Sequence, residues 1–153
     1  MTTFEKTMLV NFSQNQMYNL VADVSAYPEF LPWCQQVEIL EVQPGSKVVR
    51  IGVSHPRLPR LNLTTRATFH PDTSLLLKQV SGSFLAAFEG HWQFACNNNA
   101  DGADSMHQCS VTFTVSYRFS NALMKLALSP FFAVLVRMLP ELFVQRAAQV
   151  YAR

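Results

Sequence analysis

Two segments of strict two-residue alternation, joined by a polar stretch, constrain this chain more than any other feature. Phe84, Ala86, Phe88, Gly90, Trp92, Phe94 and Cys96 share one parity, against Leu85, Ala87, Glu89, His91 and Gln93. Cys109, Val111, Phe113, Val115, Tyr117 and Phe119 alternate in the same way with Ser110, Thr112, Thr114, Ser116 and Arg118. Successive side chains of a strand point to opposite faces, so this pattern predicts an antiparallel sheet with one buried and one wet face. The polar, glycine-containing stretch Asn97 to Gln108 reads as the hairpin loop between the two strands.

The period of two extends upstream, through Val49, Ile51 and Val53 and then Leu61, Leu63, Thr65, Ala67 and Phe69. A first strand is expected over Phe4 to Phe12, with Phe4, Met8, Val10 and Phe12 on one face and Lys6 interrupting it near the open end. Ser13 is a suitable N-cap, and Met17, Leu20, Val21 and Val24 then recur at helical spacing. Pro28 and Pro32 break up the next stretch, so Tyr27 to Cys34 reads as a compact aromatic turn or irregular helix.

The end of the chain is helical, capped by Ser120 or Asn121 and reaching Tyr151. Lys125, Ser129, Arg137, Glu141, Gln145, Gln149 and Arg153 form a polar rim in steps of four that skips only Ala133. Each such step advances about 40° around a helix, so the rim is narrow and winds. A helix on one sheet needs a single apolar stripe. Leu126 to Val144 carries more, which calls for a second apolar neighbour: a ligand, a partner subunit or a membrane surface. Pro130 and Pro140 are expected to kink or segment the helix. Its longest uncharged apolar stretch, Leu126 to Val136, falls short of the roughly 20 residues of a membrane span, so no crossing is expected. Together the elements predict one α+β domain over residues 1–153, with an antiparallel sheet of six or seven strands wrapped around the last helix.

Composition narrows the function classes. Charged residues are 14% and hydrophobic ones 49%, against roughly 25% charged in an average domain, so some apolar surface meets something other than water. A formal charge of +2 does not by itself point to nucleic acid. Three cysteines without C-x-x-C spacing, and four histidines without ligand spacing, argue against a disulfide framework or a metal site. Cys96 and Cys109 are expected near each other across the hairpin as unreactive thiols. The apolar run Met8 to Val10 is too short for a signal peptide, so a reducing cytoplasm is the expected setting. The inward positions of the two clearest strands hold no His, Asp, Glu, Lys or Arg, and general acid–base catalysis needs such a group within reach of substrate. Arg66, Lys78, Glu89, His91 and Arg118 fall outward, as a surface charge ladder.

Val21-Ala-Asp-Val-x-x-Tyr27-Pro-Glu-Phe-Leu-Pro-Trp-Cys34 resembles the signature of the coenzyme Q-binding and ribosome association toxin family, within the START-like, helix-grip superfamily. Further matching blocks occur in order: Thr64-Thr-Arg66, Gly82-x-Phe84, Gly90-x-Trp92-x-Phe94, Phe119-Ser-Asn121-x-Leu123 and Phe143-x-x-Arg146-Ala147-x-x-Val150-Tyr151. The resemblance spans the whole chain. Ala67, Ser83, Ala152 and the segment His55 to Arg60 depart from the family pattern.

The resemblance implies a helix-grip fold with an apolar tunnel under the C-terminal helix. Its expected lining is Phe30, Leu31, Trp33, Leu61, Leu63, Phe84, Phe88, Trp92, Phe113, Val115, Tyr117, Phe131, Leu135, Met138 and Leu142. Leu135, Met138 and Leu142 would roof the tunnel, while Trp92 and Tyr117 would orient a ligand carbonyl. The implied activity is non-catalytic carriage of an isoprenoid quinone, ubiquinone above others, with no cofactor required. The alternative is a toxin that blocks ribosomal subunit association, and a cyclase-like enzyme comes third. Lys47, Arg50, Arg57 and Arg60, with no acid between Glu41 and Asp72, are the candidate contacts to ribosomal RNA phosphates or anionic lipid headgroups. A peripheral position at the inner face of the membrane fits that second contact. Arg146 is expected to cap carbonyls or to anchor the 27–34 turn.

Overall fold

The computed structural model describes residues 1–55, 58–96 and 108–151, and at 55, 58–60 and 96 the backbone alone. Its strands are β1 (Thr2–Val10), β2 (Cys34–Gln43), β3 (Ser46–His55), β4 (Leu58–His70), β5 (Ser74–Gly82), β6 (Leu85–Cys96) and β7 (Cys109–Phe119). They form one seven-stranded antiparallel sheet in the order β1-β7-β6-β5-β4-β3-β2.

β1 and β2 lie at opposite edges, so the segment between them must cross the end of the sheet. It does so as α1 (Gln14–Ala22) and a 3-10 helix (Val24–Glu29). Ser13 caps α1 with a full capping box: its hydroxyl accepts the Gln16 N–H at 3.0 Å and its own N–H donates to the Gln16 side chain at 2.9 Å. Met17 and Val21 are buried as the spacing predicts, but Val24 opens the 3-10 helix instead. Asp23, at φ −82° and ψ 73°, leaves helical geometry and ends α1 before it. β1 stops at Val10, two residues short of the expected limit, and Phe12 packs its ring against Tyr151 at 6.1 Å.

Burial along β7 alternates from Cys109 to Tyr117, as its sequence requires. β6 departs from its pattern at the start. Leu85 faces Phe119 while Ala87 faces Arg118, which leaves Ala86 as the extra residue of a bulge. An extra residue shifts parity, so Ala86 is exposed whereas Phe84 and Leu85 are both buried. The ladder ends with Cys96 opposite Cys109, as expected. The hairpin loop anticipated beyond it lies outside the described residues, except Gln108.

α2 (Ala122–Tyr151) runs for 30 residues without a break. Asn121 is its N-cap, its carboxamide oxygen accepting the Met124 N–H at 2.8 Å. The expected segmentation at Pro130 and Pro140 does not occur. Leu128, Phe132, Leu135, Val136, Pro140, Phe143 and Ala147 are buried in one stripe that continues through the proline positions. Pro140 is itself buried in the stripe, whereas Pro130 is exposed. The burial of Leu128, Phe132 and their neighbours along the helix, not contact with each ring, therefore offsets the roughly 3 kcal/mol that a helical proline costs. By length and composition α2 is also apolar enough to cross a membrane, since counting only uncharged residues understated its apolar extent. Here its inner stripe packs on the sheet, while Leu123, Leu126 and Val134 on the other side are exposed.

Candidate functional site

The concave face of the sheet, the segment after α1 and the inner stripe of α2 enclose an apolar cavity of about 70 Å³. Tyr27, Leu31 and Trp33 come from the connecting segment; Ile51 and Val53 from β3; Leu61, Leu63 and Thr65 from β4; and Leu77 from β5. Phe84, Phe88, Gly90 and Trp92 line it from β6 and its approach, and Phe113 from β7. α2 supplies Leu128, Phe131, Phe132, Leu135, Val136, Leu139 and Phe143. Strand alternation delivers the floor, and the i, i+4, i+7 recurrence of Leu128, Phe132 and Leu135 delivers the roof.

Leu31, Trp33, Leu61, Leu63, Phe84, Phe88, Trp92, Phe113, Phe131 and Leu135 therefore stand where the sequence reading puts them. Five others do not line the cavity. Phe30 turns aside to pack edge-on against Phe143, with ring centroids 5.0 Å apart. Val115 and Tyr117 point inward but are covered, Tyr117 by a stacked Phe132 ring at 4.6 Å and 14°. Met138 is 41% exposed and Leu142 is half-buried. The roof was assigned one helical phase away from the true stripe, which passes through Leu139 and Phe143. On a helix apolar nearly all round, spacing cannot choose the phase.

The sequence reading also missed Tyr27, Ile51, Val53, Thr65, Leu77, Gly90, Leu128, Phe132, Val136, Leu139 and Phe143. Thr65 had a legible signal: it is the polar member of the inward row Leu61, Leu63, Thr65, Ala67 and Phe69. Phe143 organises the roof, its ring lying 4.9 Å from Trp92, 5.3 Å from Tyr27 and 5.0 Å from Phe30.

Few polar atoms reach this interior. The Tyr27 hydroxyl donates to the Val21 carbonyl, and burial pushes its phenol far up from the ordinary range. Burial also raises the Tyr117 phenol, opposed by the Arg137 charge. Two cavity-lining groups have no partner: the indole N–H of Trp33 and the hydroxyl of Thr65 are both buried without a hydrogen bond. A buried polar group left unpaired costs about 1–3 kcal/mol.

Among the described residues no Asp, Glu, His, Lys or Arg lines the cavity. Among the described residues no three His, Cys, Asp or Glu side chains converge as a metal site. The Cys34 thiol is buried and pushed up to about 11 by that burial. On the outer face Arg66, Lys78 and Glu89 occupy one row by register, yet no ion pair forms within that row among the described residues.

The basic segment is less bare than its sequence. β2 pairs with β3 so that Glu38 faces Arg50, and their charged atoms stand 3.5 Å apart. Lys47 lies over the Phe69 ring at 5.7 Å. Arg57 falls outside the described residues, and Arg60 is described only in its β4 backbone. Arg146 anchors the connecting segment, donating to Glu29 at 3.0 Å.

The profile of the family described as polyketide cyclase / dehydrase and lipid transport matches residues 10–144. The Ribosome association toxin RatA of Escherichia coli K12 is 34% identical over 152 residues, covering 99% of this chain and 90% of that protein. The mitochondrial coenzyme Q-binding protein COQ10 homolog B of Xenopus laevis is 25% identical over 150 residues, which is 98% of this chain and 59% of that protein. Among solved structures, the Zhui aromatase/cyclase of Streptomyces sp. R1128 superposes with a TM-score of 0.80 at 18% identity, covering 99% and 96% of the two chains, a likeness of fold. A seven-stranded antiparallel grip closed by one long helix, together with a profile match over most of its length, places this chain in the polyketide cyclase/dehydrase and lipid transport family.

Proposed function

We propose that this protein binds a large, uncharged apolar ligand of the isoprenoid-quinone class between its sheet and α2, as a carrier without catalytic chemistry. The observation that carries this reading is the cavity wall, built almost wholly from aliphatic and aromatic side chains, with Thr65 its polar member and no charged group among the described residues. Binding pockets are typically apolar with a few polar groups for orientation. A cyclase would need a proton donor or acceptor at the substrate. The ionisable side chain on this wall is Tyr27, whose hydroxyl is already committed to the Val21 carbonyl. Similarity to a coenzyme Q-binding protein supports the ligand class.

The enclosed volume of about 70 Å³ is well below the roughly 300–1,000 Å³ of ligand pockets, so loading requires α2 to move outward from the sheet. Half-buried Phe88, Phe131 and Leu139 form part of the wall near solvent, where the opening would start. The test is lipid extraction and native mass spectrometry of protein purified from its own host. A co-purifying quinone is the expected result; an empty cavity in protein that also fails to take up added quinone would overturn the reading.

A second reading rests on a separate observation, the 34% identity to a ribosome association toxin over nearly the whole chain. In it the output of the fold is contact with a ribosomal subunit, through a surface that includes Lys47 and Arg50. Co-sedimentation with ribosomal subunits, lost at raised salt because phosphate contacts are salt-dependent, would favour this reading. Absence of the protein from every ribosomal fraction would remove it.

A further inference from the structure

We propose that Trp33 and Thr65 are the groups that recognise the ligand's head, and that this head is a neutral oxygen acceptor such as a quinone or ketone carbonyl. The inference rests on the cavity being a ligand site and deepens that reading. Both side chains line the cavity, and both hold a buried polar atom without a hydrogen-bond partner. Buried polar groups are nearly always paired in folded proteins, so two orphans on one apolar wall mark a place where a partner belongs.

The surroundings fix both residues. The Trp33 carbonyl accepts the Ser54 N–H at 2.8 Å, and the next residue, Cys34, donates its N–H to Leu31 at 3.0 Å. Thr65 sits inside β4, paired on one side with Val49 and on the other with Gln79, and is fully buried. An indole N–H can only donate, whereas a threonine hydroxyl donates or accepts. The ligand must therefore offer Trp33 an acceptor. That acceptor is uncharged, because among the described residues no Lys, Arg or His on the wall could compensate a buried carboxylate or phosphate. An ionised fatty-acid or phospholipid head buried beside Trp33 and Thr65 is disfavoured on this ground. The competing account is a water held between Thr65 and the Gln79 side-chain oxygen, a third unpartnered buried atom directly across the β4–β5 pair.

Equilibrium titration of the full chain with decylubiquinone, decylbenzene and ionised decanoate, each delivered from cyclodextrin, tests the assignment. Wild type should bind decylubiquinone at least about tenfold more tightly than the other two. Trp33→Phe and Thr65→Val should each weaken decylubiquinone about three- to tenfold more than they weaken decylbenzene, while Thr65→Ser retains wild-type binding. Thr65→Val preserves shape and removes an unpaired hydroxyl, so it should melt no lower than wild type; it decides the matter alone should Trp33→Phe fail to fold. Equal losses for the two decyl probes would reduce both residues to packing. Unchanged quinone binding in Thr65→Val would assign that hydroxyl to water, and preference for decanoate would overturn the neutral head. If wild type binds none of the three, the ligand-cavity reading falls first, and this inference with it.

Discussion

Arg146, near the end of α2, donates to the Glu29 carboxylate at 3.0 Å while its guanidinium lies 5.3 Å over the ring of Phe30. These two contacts fasten the C-terminal helix to the segment that closes one end of the cavity. Glu29 is largely solvated, so the ion pair contributes little, about 0.2–1 kcal/mol. The stacked guanidinium and its stem add contact that only arginine supplies.

Glu29→Gln should therefore lower stability by less than about 1 kcal/mol, and by less still at high salt. Arg146→Ala should cost more, about 1–2 kcal/mol, because it also uncovers Phe30. Urea denaturation of the two single variants and the double variant measures the coupling. Equal single effects would show that the ring contact contributes nothing.

Truncations along α2 should sort by what each side chain faces. Phe143 is 1% exposed among three aromatic rings, and Phe143→Ala should cost about 3–5 kcal/mol. Leu139→Ala, half-buried beside existing space, should cost about 2 kcal/mol or less. Leu135→Trp should be near-neutral for folding and obstruct quinone, whereas overpacking a filled core costs about 1–3 kcal/mol. Denaturation beside a quinone titration checks all three; severe destabilisation by Leu135→Trp with normal quinone binding in the folded fraction would remove Leu135 from the roof.

Stability should fall as pH rises from about 9 towards about 11, because the Cys34 thiol is 9.0 when unperturbed and is raised to about 11 by burial in the fold. Over that window the folded state binds more protons than the unfolded one, so the slope of stability against pH is negative. Burial keeps the Tyr27 phenol protonated beyond this range, which extends the loss to higher pH. Cys34→Ala should flatten the lower part of the curve, and thermal melts across the window measure it. A profile unchanged by that substitution would show Cys34 not to be the group responsible.

Ser13→Ala removes one half of a capping box and should cost about 1 kcal/mol, mostly as faster local opening of α1. Hydrogen exchange at the Gln16 amide reads it directly, since that N–H donates to the Ser13 hydroxyl. Protection equal to wild type would mean that tertiary contacts, not the cap, hold this end of the helix.

Local chemistry was enough to determine much of the molecule from the sequence alone. Period-two alternation placed β7 and its inward face, Ser13 announced α1, and Ser120 or Asn121 announced α2, because each of these signals acts over a few residues; the Met124 amide chooses Asn121. The bulge at Ala86 was not legible: parity assumes one residue per step, and only pairing with Phe119 and Arg118 reveals the extra one. The phase of α2 was hidden for a different reason, since a helix apolar on most sides gives no contrast for spacing to read. Arg50 looked uncompensated along the chain until β2 brought Glu38 across from it. Only the tertiary structure could decide which inward residues enclose empty space and which are covered by a neighbour. Tyr117 and Trp92 carry the same inward signal, yet Phe132 stacks on one while the other faces the cavity. Burial is written in each residue's own polarity and parity, whereas a cavity is a property of the gap between elements distant in sequence.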